Sequence, residues 1–308
     1  MNKLILHHYP NSPFAEKIRL ILGFKKLQWN SVMIPNMMPK PDVIALTGGY
    51  RKTPVLQIGA DIYCDTALIA DVIESLAPTP SLYPPEVAAA SRTLAQWADS
   101  TLFWASVPYA LQPAGLAHMF AGVPPETIKA WGEDRAVFRA NMPRMRPAEA
   151  NAAFAIYLRR LDESLGSKSF FCGDSPSIAD FSIYHCLWFV SRGGPVAQIL
   201  ESSSRIQAWR DRMAAFGHGS FDKLDSSEAI RIANAASPDA TAGVNVDPHG
   251  IAAGESVVIA ATDTGVDPIE GTLYGATDDR LSIKREDPRA GTVVVHFPRL
   301  GFEMRRGR

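Results

Sequence analysis

Apolar positions along the first 80 residues change period several times, and each change marks an element. Leu4-Ile5-Leu6 is a short continuous apolar run, the pattern of a buried strand. Phe14, Ile18, Ile21 and Leu22 then recur at helical spacing, and Gly23 marks the end region of that helix. Ser31 to Ile34 reads as a second strand, followed by the proline-rich loop PNMMPKP. Val55–Ile58 and Asp61–Cys64 flank Gly59-Ala60, and glycine at the first central position suits a two-residue hairpin turn. Leu68, Ile69, Val72, Ile73 and Leu76 form a further helical stripe, stopped by Pro78 and Pro80. A crossover followed by a hairpin predicts a small mixed sheet with helices against it.

Beyond Pro85 the period becomes helical throughout. Leu94, Trp97 and Ala98 share a face, as do Phe154, Leu158, Leu161 and Leu165, and later Ile206, Trp209, Met213 and Phe216. Ser177 and Asp180 stand at the N-cap and N3 positions of another helix, a capping box with Asp in place of Glu. This stretch predicts an all-helical domain. From about Ser237 the pattern shifts again. The last 71 residues hold nine of the 22 glycines and none of the six tryptophans, so they form a unit of different character. Short β-type runs appear at Ser256–Ala260, Ile269–Tyr274, Arg280–Lys284 and Thr292–Phe297, separated by Asp- and Gly-rich turns. The predicted organisation is 1–82, 83–232 and a small β barrel-like unit over 251–308, joined by a linker at 233–250.

Composition narrows the functional classes. Of 308 residues 46% are hydrophobic and 20% charged, which suits a globular chain. Lys+Arg is 31 against 32 Asp+Glu, so no global field draws the chain to nucleic acid or anionic membrane. The tail carries 11 acids and 8 bases, although Arg299, Arg305, Arg306 and Arg308 cluster late. Three cysteines without a C-x-x-C indicate neither a disulfide framework nor a zinc site, so no metal is expected, and the usage suits a reducing, cytoplasmic compartment. The apolar run at the N-terminus is short for a signal peptide. Ser100 to Pro125 lacks Asp, Glu, Lys and Arg, yet Pro108, Gln112, Pro113 and His118 interrupt it; a pocket-lining helical segment is expected there, not a membrane span.

Candidate chemistry centres on Ser12-Pro13. Serine at the N-cap and proline at N1 begin a helix. The same geometry offers free N–H groups, a partial positive charge and a hydroxyl to an anion. A thiol of pKa about 8.5 is about 3% ionised at pH 7, and lowering that pKa by about two units, worth about 2.7 kcal/mol, makes roughly three quarters of it thiolate. None of the three cysteines stands at this helix start, so a thiolate there would come with a ligand.

At this point SPFAEKIRLIL resembles the first helix of soluble glutathione transferases, with Ser12 where serine-type and cysteine-type classes carry their catalytic residue. Arg51-Lys52-Thr53-Pro54-Val55-Leu56 resembles the family's K-[IV]-P-V-L segment, whose proline is cis, and Cys64-Asp65-Thr66-Ala67-Leu68-Ile69 resembles its E-S-x-x-I segment. The capping segment around Asp180 is similar to the second-domain helix signature. The resemblance covers residues 1–230 and stops short of the tail.

It implies a thioredoxin-like α+β domain, an all-α second domain, glutathione as co-substrate, a hydrophobic electrophile and a homodimer. Thr53, before Pro54, would pair with the cysteinyl backbone as an added strand does. Asp65 and Thr66 would hold the γ-glutamyl end, and Lys40 or Lys52 the glycyl carboxylate. Where tyrosine-type members carry their tyrosine this chain has His8, with Tyr9 one later, so Ser12 is the first candidate partner of the thiol and Tyr9 the second. His7 and His8 are not a metal pair, because adjacent strand residues point to opposite faces. Phe103, Trp104, Tyr109, His118 and Phe120 are candidate walls of an apolar cleft. The readings are a conjugating transferase, a non-catalytic binding or scaffold protein, and a glutathione-dependent thiol oxidoreductase, the last needing a cysteine where Ser12 stands.

Overall fold

A computed structural model of the chain describes residues 3–139, 142, 145–239, 243 and 248–307. Strand β1 (Leu4–His8) leads into α1 (Pro13–Phe24), β2 (Gln28–Met33), α2 (Pro41–Thr47), the hairpin β3 (Val55–Ile58) and β4 (Asp61–Cys64), and α3 (Thr66–Leu76). β2 lies parallel to β1, whereas β3 is antiparallel to both β1 and β4. This is the thioredoxin-like domain expected. Gly59 turns the hairpin at φ 62°, a left-handed conformation that glycine adopts without steric cost.

The helical domain follows. It comprises α4 (Ala88–Trp97), a π-helical turn (Ala98–Leu102), α5 (Phe103–Ala110), α6 (Pro113–Met119), α7 (Pro125–Arg139), α8 (Pro147–Leu165), α9 (Ile178–Ser191), a 3₁₀ segment (Gly194–Ser202) and α10 (Ser204–Ala214). The uncharged Ser100–Pro125 stretch is divided among the π turn, α5 and α6, and no described helix is long and apolar enough to cross a membrane. α9 is its central helix, buried from Ile178 to Leu187, and it packs against α1, α4 and α5.

Two returns to the first sheet differ from the expected organisation. β5 (Ser220–Lys223) pairs in parallel with β2, and α11 (Ser226–Ala235) packs on α2. Residues 220–232, assigned to the helical domain from periodicity, thus rejoin the first domain, and α11 runs into the expected linker. The middle of that linker, 240–242 and 244–247, lies outside the described residues, as does Arg308 of the late arginine cluster.

The tail is the small β unit expected, with β6 (Ser256–Ala261), β7 (Ile269–Ala276), β8 (Arg280–Asp287), β9 (Gly291–Pro298) and β10 (Phe302–Arg306). It does not stand apart as a barrel. β9 runs parallel to β4, giving one ten-stranded sheet in the order β10-β6-β7-β8-β9-β4-β3-β1-β2-β5. The physical reason is visible in β9. Its Val293-Val294-Val295 run is apolar at successive positions, the pattern of a strand covered on both faces. Pairing with β4 covers an edge that would otherwise expose unpaired backbone groups.

A buried polar chain clasps this seam. His296 Nε2 donates to Asp61 Oδ1 at 2.8 Å, and Ser282 Oγ donates to His296 Nδ1 at 2.8 Å. The Tyr63 ring stacks on His296 with centroids 4.6 Å apart. Burial lowers the pKa of His296, although Asp61 opposes it, so the imidazole is neutral and needs both partners to be satisfied. His296→Ala leaves Asp61 and Ser282 buried without their partner. A loss of about 1–3 kcal/mol is expected in urea unfolding, and a loss under about 0.5 kcal/mol would show that the clasp is idle.

Candidate active site

Ser12 is buried and extended (φ −77°, ψ 119°), so the chain enters α1 with the serine as N-cap. Its Oγ accepts from Ala15 N at 3.2 Å and lies 3.5 Å from the Thr53 carbonyl oxygen, which it faces as donor. Pro13 at the first helical position has no N–H to satisfy. The Thr53–Pro54 peptide is cis. The helix start and the β3 entry meet at the contact between Ser12 and Thr53.

Lys40 is 4% exposed, and its Nζ donates to Thr53 Oγ1 at 3.1 Å and lies 5.7 Å from the Tyr9 ring centre. Burial, reinforced by the Arg135 and Arg51 charges against the opposing pull of Asp134, lowers its pKa to about 8. Among the described residues no carboxylate forms an ion pair with it. Lys52 stands differently, with its Nζ 2.6 Å from Asp263 Oδ1 in the tail.

Asp65 caps α3 at φ 76°, a left-handed conformation costly for a non-glycine residue, and strain of this kind concentrates at functional sites. Its Oδ1 accepts from Ala67 N at 2.9 Å. Burial raises its pKa, while the Lys52 charge pulls it down. Thr66 Oγ1 accepts from Lys17 Nζ at 3.2 Å, and Lys17 also donates to Asp99 Oδ2 at 2.6 Å. His185 Nε2 completes the group at 2.9 Å from Asp99 Oδ1. This fully buried lysine couples the base of α3 to the helical domain.

Ser12, Tyr9, Lys40, Lys52, Thr53, Pro54, Asp65 and Thr66 all face one cavity of about 1530 Å³ between the domains. Phe103, Trp104, His118 and Phe120 form part of its wall. Tyr109 does not; it is half-buried, and its ring stacks on Phe154, 4.7 Å between centroids, against the helical core. Aromatic character at helical spacing does not distinguish a wall from a core position, and here the core claimed it. The histidines of β1 also turn away from the cavity. His7 pairs with Gln57 at 2.8 Å and His8 with Ser31 at 2.9 Å, on opposite faces. Burial lowers their pKa values to about 4 and about 3, so both are neutral. Among the described residues no group of three or more His, Cys, Asp or Glu side chains is placed to hold a metal ion.

Lys17, Asp99 and the tail loops at 263–264, 278–279 and 298–301 also line the cavity and were not singled out from the sequence. Lys17 did leave a signal. It lies on the apolar stripe of α1, between Phe14 and Ile18, where a charge needs a buried partner. The tail loops left none, because nothing within them shows that the pairing of β9 with β4 will carry them to the cavity.

A thioredoxin-like domain followed by an α-helical domain, with a cavity between the two, defines a class of protein by fold. The family models agree. Residues 6–81 match the glutathione S-transferase N-terminal domain and residues 147–212 the C-terminal domain. Over its whole length the chain is 43% identical to a GST-like protein from Pseudomonas syringae, with all of both chains covered and a TM-score of 0.83. The chain belongs to the glutathione S-transferase family. A glutathione S-transferase from Rhodospirillum rubrum F11 shares the fold at 19% identity, over 69% of this chain and 88% of that one, with a TM-score of 0.53. The β-etherase LigF from Sphingobium sp. strain SYK-6 does so at 20% identity, over 69% and 95%, with a TM-score of 0.52. None of the curated proteins compared matches the sequence.

Proposed function

We propose that the protein is a serine-type glutathione transferase that joins the glutathione sulfur to an electrophilic carbon of an apolar molecule. The observation that carries this reading is the meeting of Ser12 Oγ, the α1 N-terminus and the cis Thr53–Pro54 entry at one face of the cavity. The Ser12 hydroxyl donates to the thiolate, and the helix end favours its negative charge. Thr53 aligns the cysteinyl backbone, and Asp65 with Thr66 holds the γ-glutamyl end. Tyr9 stands second to Ser12 as a partner of the sulfur. In the reaction the sulfur lone pair forms the new C–S bond, and the leaving group departs with the electrons of its own bond to that carbon. Catalysis is positioning plus ionisation of the thiol, with no covalent enzyme intermediate.

The electrophile lies against Phe103 and Trp104, with His118 and Phe120 farther along the wall. The oxidoreductase reading is disfavoured because none of the three cysteines lines the cavity, and burial raises the thiol pKa of Cys64 and Cys186. Three cysteines without a disulfide suit the cytoplasm, and pairing of two copies belongs to the same reading, since the family commonly dimerises.

Calorimetry with S-methylglutathione, which has no thiol to titrate, tests the binding half of this reading. One molecule is expected per chain. Lys40 is charged below its pKa of about 8 and neutral above it, so its attraction for the glycyl carboxylate is present at pH 7 and fades as pH rises through 8. Lys40→Gln should bind more weakly at pH 7 and lack this step, and the difference between the two titrations isolates the lysine. Absence of uptake by the folded wild type would remove the reading.

A further inference from the structure

The tail brings a carboxylate to the place where this reading puts the peptide's own. Asp263 Oδ1 lies 2.6 Å from Lys52 Nζ, with side-chain exposures of 49% and 18%. The same ammonium is 5.5 Å from the ring centre of Phe302 in β10, so the tail supplies both a counter-ion and an aromatic face. Asp263 and Thr264 line the cavity with Ser12 and Thr53.

The loop that carries Asp263 is anchored on three sides. Thr262 N donates to Gly301 O at 3.0 Å, and Gly265 N donates to Phe138 O of α7 at 2.7 Å. Arg51, which pairs with Asp134 of α7 at 2.7 Å, also reaches Asp267 at 3.9 Å. Gly265 has φ 58°, and a Cβ there would come 2.9 Å from the Phe138 ring, so the close approach requires glycine. Asp263 is thus held beside Lys52 at the cavity wall. The two lysines offered to the glycyl carboxylate are unequal: Lys40 has no acidic partner among the described residues, and Lys52 already has one.

We propose that Asp263 is a specificity-determining residue of the peptide site, which competes with the peptide's terminal carboxylate for Lys52. The inference rests on the glutathione reading above. A tethered carboxylate opposes an incoming one for the same ammonium, whereas a peptide with a neutral end meets no such competition. The pair is partly solvated, and ion pairs of that kind are weak enough to exchange. The tail therefore lowers the site's preference for acid-ended over neutral-ended glutathione.

Calorimetry of the full-length protein with S-methylglutathione and with its glycyl ethyl ester tests this. Asp263→Asn should tighten the acid about fivefold, the scale of one exposed ion pair, and leave the ester within about twofold. Asp263→Glu, which keeps a carboxylate, should behave as the wild type. Adding Lys52→Gln to Asp263→Asn should return the acid-to-ester ratio to its wild-type value. An unchanged ratio in Asp263→Asn, with both ligands still bound, overturns the role of Asp263 alone. Uptake of neither ligand by the wild type overturns the glutathione reading and this inference with it.

Discussion

Ser12→Ala, which removes the hydroxyl but keeps the α1 N-terminus, should slow conjugation of a chloronitrobenzene several-fold at pH 7 and saturating glutathione, and at most about 25-fold. The upper figure follows from ionisation. If the helix start and the hydroxyl lower the thiol pKa from about 8.5 to about 6.5, roughly three quarters of bound glutathione is thiolate at pH 7; without them about 3% is. Affinity is tied to the same equilibrium and moves far less. Linkage over a two-unit shift allows only about a fourfold change in Kd at pH 7. The variant therefore separates turnover from binding, which a merely structural serine would not do.

The pH profile supplies the sharper test. The deficit of Ser12→Ala should fade as pH rises toward 9, because the unassisted thiol ionises there without help. Ser12 is also the α1 N-cap, and its loss should cost about 1 kcal/mol of stability. A structural role alone would lower the melting temperature with no pH-dependent recovery of rate. Unchanged turnover across the range would take Ser12 out of the mechanism and leave Tyr9 as the candidate.

The first domain was legible because each of its elements carries its own local signal: the Leu4–Leu6 run, the Phe14 to Leu22 stripe, and the Gly59 turn between two short strands. The helical domain was legible for the same reason. β5 was missed because its four residues are exposed and show no alternation; it is a strand only because β2 offers an open edge. The strands of the tail could be read individually, but their docking could not. It depends on β9 pairing with β4 across more than 220 positions, and that is a tertiary choice. The triple valine in β9 is the one local hint, since an isolated sheet with a wet face would alternate. The candidate site divides in the same way. Residues beside the helix start and the cis proline could be named in advance. Those supplied by the tail, Asp263 above all, required knowing where β10 and the loop before β7 lie.

Asp180→Ala should destabilise the protein more than any other single change considered, by about 3–5 kcal/mol. The carboxylate is fully buried at the start of α9 and accepts four hydrogen bonds. Oδ2 takes Ser177 N at 2.9 Å and Ser177 Oγ at 3.1 Å, closing the capping box. Oδ1 takes Phe171 N at 2.9 Å and Trp209 Nε1 at 3.0 Å, tying the preceding loop and α10 to the same point. Alanine removes the cap and strands the Phe171 amide and the Trp209 indole in the core. Each such orphan costs about 1–3 kcal/mol, and the sites are too close to add fully. An asparagine at this position would keep one acceptor oxygen and turn an N–H₂ toward the other pair of donors, so Asp180→Asn should lose roughly half as much. Thermal unfolding should place Asp180→Ala about 10 °C below the wild type, with Asp180→Asn between them. Because α9 packs directly on α1, the same loss should loosen the helix start, and Asp180→Ala should bind S-methylglutathione more weakly although Asp180 lies outside the cavity. Equal melting temperatures for wild type and Asp180→Ala would mean that water takes up the four donors, and that α9 needs no cap to hold the first domain in place.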